Sequence, residues 1–287
     1  MTDSVPVGSQ ESGDVFDARA AAAFSSGLGG DIARRGISRA AMERLVGALS
    51  PLLLLALWET LSRSGLLDIR FFPAPSSIAG TFLALLRNGA LAGDVWATLV
   101  RVGAGLLIGC SLGVAAGLLL GLVRLLRVAA LPILAVTMPI PKIALLPLLA
   151  LLLGIGDSSK IAIVAVGVFF IMVYNTMAGV ISIPRIYLDV GRSFGAGRLF
   201  FYRTVALPGA LPLILTGFKL SFAVGLLIIV PAEWSGVKVG LGYMIYQSWN
   251  TFSIPEMYVG LVALGILGYA GGLMFEELER KLVPWRL

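Results

Sequence analysis

Charged side chains set inside apolar sequence are the residues best placed to do chemistry in this chain. Lys142 lies in a proline-rich apolar run, about Val128 to Gly154, and Glu233 closes another apolar run. Ionisable groups at such positions mark ion or solute paths. The chemistry they offer is electrostatic. Lys142 would attract an anionic solute, or else pair with a helix-end carbonyl or snorkel, and Glu233 would line an external vestibule, or else be held to a neighbouring helix. Covalent chemistry has no support. The sequence has no histidine and one cysteine, Cys110, in an apolar stretch. A disulfide within the chain is therefore excluded, and no metal site built on His or Cys is expected. No G-x-x-x-x-G-K-[ST] run is present, so ATP is not expected to bind this chain through a P-loop. No H-E-x-x-H motif or Ser/His pair occurs, and no catalytic residue, metal site or resident cofactor is assigned.

Hydrophobic residues make up 58% of the 287 and charged residues 13%, against about 25% charged in a soluble domain. The class is an all-α integral membrane protein. Six spans are read, at about Leu45–Leu61, Val95–Val123, Val128–Gly154, Ile161–Ile181, Leu213–Val230 and Met257–Phe275. Residues 1–43 read as a flexible cytoplasmic tail and 44–287 as the six-helix membrane domain. A short amphipathic helix, Ser76–Arg87, follows the first span and suits the interface. The second span carries Gly105, Gly109, Gly113, Gly117 and Gly121, a smooth stripe for close helix packing. Arg101, near its outer end, is expected to snorkel, as is Lys219 in the fifth span. Residues 154–160 read as an external turn, and 235–255 as external or re-entrant.

The third span is unusual because Pro132, Pro139, Pro141 and Pro147 all fall within it. Each removes a backbone donor and obstructs the preceding turn. Freed carbonyls at membrane depth are tolerated where protein or a water-filled cavity satisfies them. Met138–Pro147, with Pro139, Pro141, Lys142 and Pro147, is therefore expected to line a translocation path.

Between the fourth and fifth spans lies a basic loop, residues 182–212, with Arg185, Arg192, Arg198 and Arg203 and the single acid Asp189. Two short helices, Arg185–Phe194 and Arg198–Ala206, are read around Gly195 and Gly197, and Pro208 is expected to stop the second. Apolar residues mixed with the arginines suit docking of another protein. Of the 22 Lys and Arg residues, fourteen fall on this loop's side, five on the other and three within spans. That bias puts the loop and both termini in the cytoplasm. The net charge of +6 follows this topology and is no sign of nucleic-acid binding. A passive path with a large cytoplasmic docking element needs energy from outside the chain. The alternative is an ATP-independent secondary transporter or channel.

The loop resembles the cytoplasmic E-A-A…G…I-x-L-P loop of binding-protein-dependent ABC importer permeases. Asp189-Val190-Gly191 is followed by three residues and Gly195, then by nine residues and Val205-Ala206-Leu207-Pro208. Every spacing fits, although the two alanines are replaced. Phe72-Pro73-Ala74-Pro75-Ser76, Pro139-Ile140-Pro141-Lys142 through Gly156, and Ala232-Glu233-Trp234 with Gly240-Leu241-Gly242-Tyr243 also resemble permeases of the aliphatic sulfonate, taurine and nitrate importers.

The resemblance implies the six-span type I importer permease fold and a bacterial inner-membrane location. It implies two ATPase subunits that bind ATP and Mg, a second permease copy and an extracytoplasmic binding protein. The single six-span set and the glycine stripe point to a homodimer. Asp189, Val190, Gly191, Phe194, Gly195, Ala196, Val205, Leu207 and Pro208 would form the coupling helix and its exit, seated on the ATPase. The solute would be a small anion such as a sulfonate, taurine or nitrate.

Overall fold

The computed structural model describes residues 42–284, except 48, 194, 196, 198, 199 and 201. The expected tail, 1–43, lies almost wholly outside them, as do Phe194 and Ala196. The chain divides into two units, residues 1–67 and 68–287. The first holds α1, Met42–Arg63, an apolar helix of mean hydropathy 1.6. Near its end Glu59 pairs with Arg63 one turn on, at 2.5 Å.

The second unit begins with α2, Pro75–Arg87, and α3, Ala90–Leu122. Pro75 sits in the first turn of α2, where its missing N–H costs nothing. The helix packs on α3 and on the last helix, and its Ile78 is buried. At 33 residues α3 is about 50 Å long, well beyond the ~30 Å hydrocarbon core. The third span is not one rod. Helix α4, Arg124–Thr137, is followed by a 3₁₀ turn, Lys142–Leu145, and α5, Leu146–Leu153. The two arms meet at 88°, with Pro139 and Pro141 in the bend. Among the described residues, five helices are long and apolar enough to cross a bilayer, and six spans result if the bent pair counts as one.

Helix α6, Asp157–Ile181, starts four residues earlier than the sequence suggests. The proposed external turn at 154–160 is thereby shortened, and Lys160 lies inside the helix at 1% exposure. Helix α7, Arg185–Ser193, precedes a π turn, Tyr202–Ala206, which runs directly into α8, Leu207–Ala232. Pro208 therefore opens a helix rather than stopping one, because the first turn tolerates proline. Helix α9, Leu241–Asn250, and α10, Ile254–Leu282, complete the unit.

Packing centres on α3, α6 and α8. Val102 and Cys110 meet Ile163, Val164, Val168 and Met172, with Ala210, Ile214, Leu226 and Ile229 closing the core. The glycine stripe of α3 faces α6. A Cβ on Gly109 would stand 2.3 Å from the Ala165 carbonyl oxygen, and one on Gly113 2.5 Å from Met172 Cβ. Gly105, Gly117 and Gly121 meet Val164, Thr176 and Val180 at 2.5–2.6 Å. The stripe is thus spent within the chain and gives no argument for a second copy.

Candidate functional site

Three places bring the charged and proline-rich residues together. The first is the loop between α6 and α8. On α7, Ile186, Tyr187 and Val190 share one side and are exposed by 67%, 60% and 48%. The Asp189 carbonyl accepts a hydrogen bond from Ser193 Oγ at 3.0 Å. Gly195 follows with φ of +65°, a conformation that costs a residue with a Cβ. Among the described residues nothing lies within 4 Å of a Cβ built there, so within the chain Gly195 serves the turn. Ala206 is fully buried while Leu207 is exposed. Val205 and Pro208, with Tyr187, Ile183 and Gly209, wall a cleft of about 350 Å³. The loop thus presents an apolar face on α7 beside a cleft at the foot of α8.

The second place is the bend in the third span. Pro139, Pro141 and Pro147 are exposed and Lys142 is half-buried. Lys142 Nζ donates to the carbonyls of Thr137, Met138 (3.3 Å) and Ile140 (2.9 Å). It also lies 4.9 Å from the Phe170 ring centroid. An ammonium has three donors, and all three go to carbonyls that the break leaves without helical partners. The negative end of the α4 dipole adds to the attraction. Lys142 thus braces the bend in this conformation.

The third place is a buried network where the N-terminal parts of α3 and α6 meet the C-terminal end of α8. Arg101 Nη1 donates to Glu233 Oε1 at 2.6 Å and to the Val239 carbonyl at 2.7 Å, while its Nε donates to Asp157 Oδ1 at 2.7 Å. Thr98 Oγ1 donates to Glu233 at 3.0 Å. The same groups receive the start of α9. The amide of Gly240 donates to Asp94, that of Leu241 to Thr98, and that of Gly242 to Glu233, at 2.8–2.9 Å. First-turn amides have no helical acceptor, and here side chains supply three. A Cβ on Gly240 would meet Arg101 and Glu233 at 2.6 Å, and one on Gly242 would meet the Val230 carbonyl at 2.3 Å. The Ala232-Glu233…Gly240-Leu241-Gly242 signature thus anchors α9.

Two expectations change here. Arg101 does not snorkel, since it is 6% exposed and donates three hydrogen bonds to protein acceptors. Glu233 does not line a vestibule, since it is 0% exposed. Sequence reasoning missed Asp94, Thr98 and Asp157 as members of this network. Arginine in an apolar span was itself a signal that an intramembrane partner must exist.

Residues 109–285 match the family described as binding-protein-dependent transport system inner membrane component. The chain is a permease of that family. It is 32% identical to the Brucella abortus (strain 2308) protein named "Probable ABC transporter permease protein BAB2_1148", covering 80% of this chain and 90% of that one. It is 30% identical to the taurine transport system permease protein TauC of Escherichia coli (strain K12), covering 81% and 86%. The fold is shared with the inward-facing MetNI methionine ABC transporter, at a TM-score of 0.62 and 23% identity over 67% of the permease and 96% of that chain. As a multi-pass inner-membrane component of an ABC importer, the permease is not itself an enzyme. It works with an ATPase and a substrate-binding protein.

Proposed function

We propose that the permease moves a small sulfonate-type solute, anionic or zwitterionic, through a path bounded by the bend at Pro139–Pro147. Transport is driven by ATP and Mg held in two copies of a separate ATPase. Each ATPase seats on the 182–212 loop of one of two identical permease copies, with both termini in the cytoplasm. The coupling residues are Asp189, Val190, Gly191, Phe194, Gly195, Ala196, Val205, Leu207 and Pro208.

The observation that carries this reading is the exposed apolar face of α7, Ile186, Tyr187 and Val190, next to the left-handed turn at Gly195. An apolar helix face beyond the bilayer suits a protein groove, the helix-in-groove mode of recognition. The π turn Tyr202–Ala206 runs directly into α8, so movement reaching that turn would pass into the helix. Lys142 enters this reading as the brace that keeps the broken span open to solute. The sulfonate class rests on the likeness to TauC.

The test is uptake of radiolabelled taurine into vesicles holding the permease, its ATPase and its binding protein. ATP-dependent uptake that is lost in Val190→Asp supports the reading. Uptake without ATP or the ATPase contradicts it.

A further inference from the structure

Lys160 is buried at 1% exposure at the end of the first turn of α6, beside the Arg101–Glu233 network but not bonded into it. Among the described residues its ammonium donates no hydrogen bond and forms no ion pair. Its charged neighbours are Arg101, Asp157 and Glu233, and these are already committed to one another. Arg101 takes both carboxylates, and Glu233 also accepts from Thr98 and from the Gly242 amide. An ammonium has three donors, and burying it outside such pairing is costly.

The cover over Lys160 is the turn 234–240, which joins α8 to α9. A Cβ on Gly236 would stand 2.9 Å from Lys160 Nζ and 2.4 Å from Ile155 Cγ2, so the bare backbone of Gly236 rests against the ammonium. The turn is held at its ends. Arg101 holds the Val239 carbonyl at 2.7 Å and Asp94 the Gly240 amide at 2.8 Å, while Trp234 stacks on Tyr246 at 5.8 Å. Between these ends, residues 235–238 make no hydrogen bond to a described residue, and Ser235, Gly236 and Lys238 are exposed. Gly236 and Gly240 have φ of +78° and +137°, a region that glycine enters freely. A segment with exposed backbone and few hydrogen bonds opens locally with little loss.

We propose that residues 234–240 form a lid at the outer end of the permease, and that the unpaired ammonium of Lys160 biases this lid toward opening during transport. This rests on the importer reading, which places this end of the bundle outside. With the lid shut, as here, Lys160 is kept from water and has no partner of its own. With the lid lifted, water reaches Nζ and solvates it. The two arrangements thus differ in the hydration of one charge, which is the differential interaction a two-state element needs. An apolar residue of similar size in place of a buried, poorly compensated charge stabilises the arrangement that buries it. Lys160→Met should accordingly hold the lid shut.

The experiment is acetylation of lysines by a water-soluble amine reagent, read by peptide mass spectrometry. It uses the full chain with its ATPase in lipid nanodiscs, where both faces are open to the reagent. Lys238, exposed on the lid, is the internal standard. Without nucleotide Lys160 should be protected. In the complex arrested with ATP and vanadate it should react about tenfold faster, as a minor state of about 10% brought to full occupancy predicts, with Lys238 unchanged. Lys160→Met should raise the thermal midpoint of the purified permease and slow solute uptake. A Lys160 that is unreactive in both states, or equally reactive in both, overturns the lid. A lower thermal midpoint in Lys160→Met would show that the ammonium stabilises the shut form through its carboxylate neighbours, and also overturns the proposal. The thermal measurement needs no ATPase, so failure of the importer reading would show separately, as absence of the ATPase from the purified complex.

Discussion

Arg101 Nη1 donates to Glu233 Oε1 at 2.6 Å, joining two helices whose contact residues are 132 positions apart in the chain. Glu233 is fully buried and Arg101 nearly so. Removing one partner of such a pair leaves a buried charge without compensation, at a cost of about 3–5 kcal/mol. Arg101→Met should therefore lower the thermal midpoint of the detergent-purified protein sharply. Arg101→Met combined with Glu233→Gln should be the milder of the two, since the residual carboxylate is gone. A single variant as stable as wild type would remove the network from the account.

The α3–α6 contact leaves no space for a side chain along the stripe. Gly109→Ala places a methyl 2.3 Å from the Ala165 carbonyl, and overpacking of this kind costs about 1–3 kcal/mol. Gly103→Ala, with nothing within 4 Å of its built Cβ, should be neutral or slightly stabilising, as expected for Gly-to-Ala in a helix. Unfolding of the two variants, side by side, checks the packing.

Lys142 should act through the bend. Lys142→Met frees three carbonyl contacts and should reduce transport rate, with the concentration of solute at half-maximal uptake unchanged. Lys142→Arg should recover much of the rate, because a guanidinium also donates to several carbonyls. A selective loss of solute affinity in Lys142→Met would instead make the lysine a ligand.

Gly195 has φ of +65°, which costs a non-glycine residue about 1–2 kcal/mol. Gly195→Ala should leave the membrane helices intact by circular dichroism and weaken ATPase stimulation by solute. Full stimulation in the variant would show that the turn is dispensable for coupling.

Much of this was legible from the chain. The apolar runs, the proline break and the glycine-bounded loop are local patterns, and each corresponds to an element. Pro208 was misleading, because a proline read alone looks like a stop, whereas it lies in the first turn of α8, where proline favours a helix. Partnerships were not legible. Arg101 finds Asp157 and Glu233 through tertiary packing across 56 and 132 residues, and Lys219 finds Glu276 across 57. Periodicity places such charges on a helix but does not name what faces them. Helix α9 was hidden for a related reason. Its start is held by side chains of α3 and by Glu233 rather than by a local cap.

The central claim is that α7 is the seat of the ATPase. It is tested most directly by site-specific cross-linking from Val190→Cys, which adds the one exposed thiol beside the buried Cys110. Leu152→Cys, exposed by 68% on α5, serves as the control. A cross-link to the ATPase from Val190→Cys and none from Leu152→Cys is the predicted result. An ATPase that co-purifies with the permease yet never cross-links at Val190 would contradict the assignment of α7 as its docking helix.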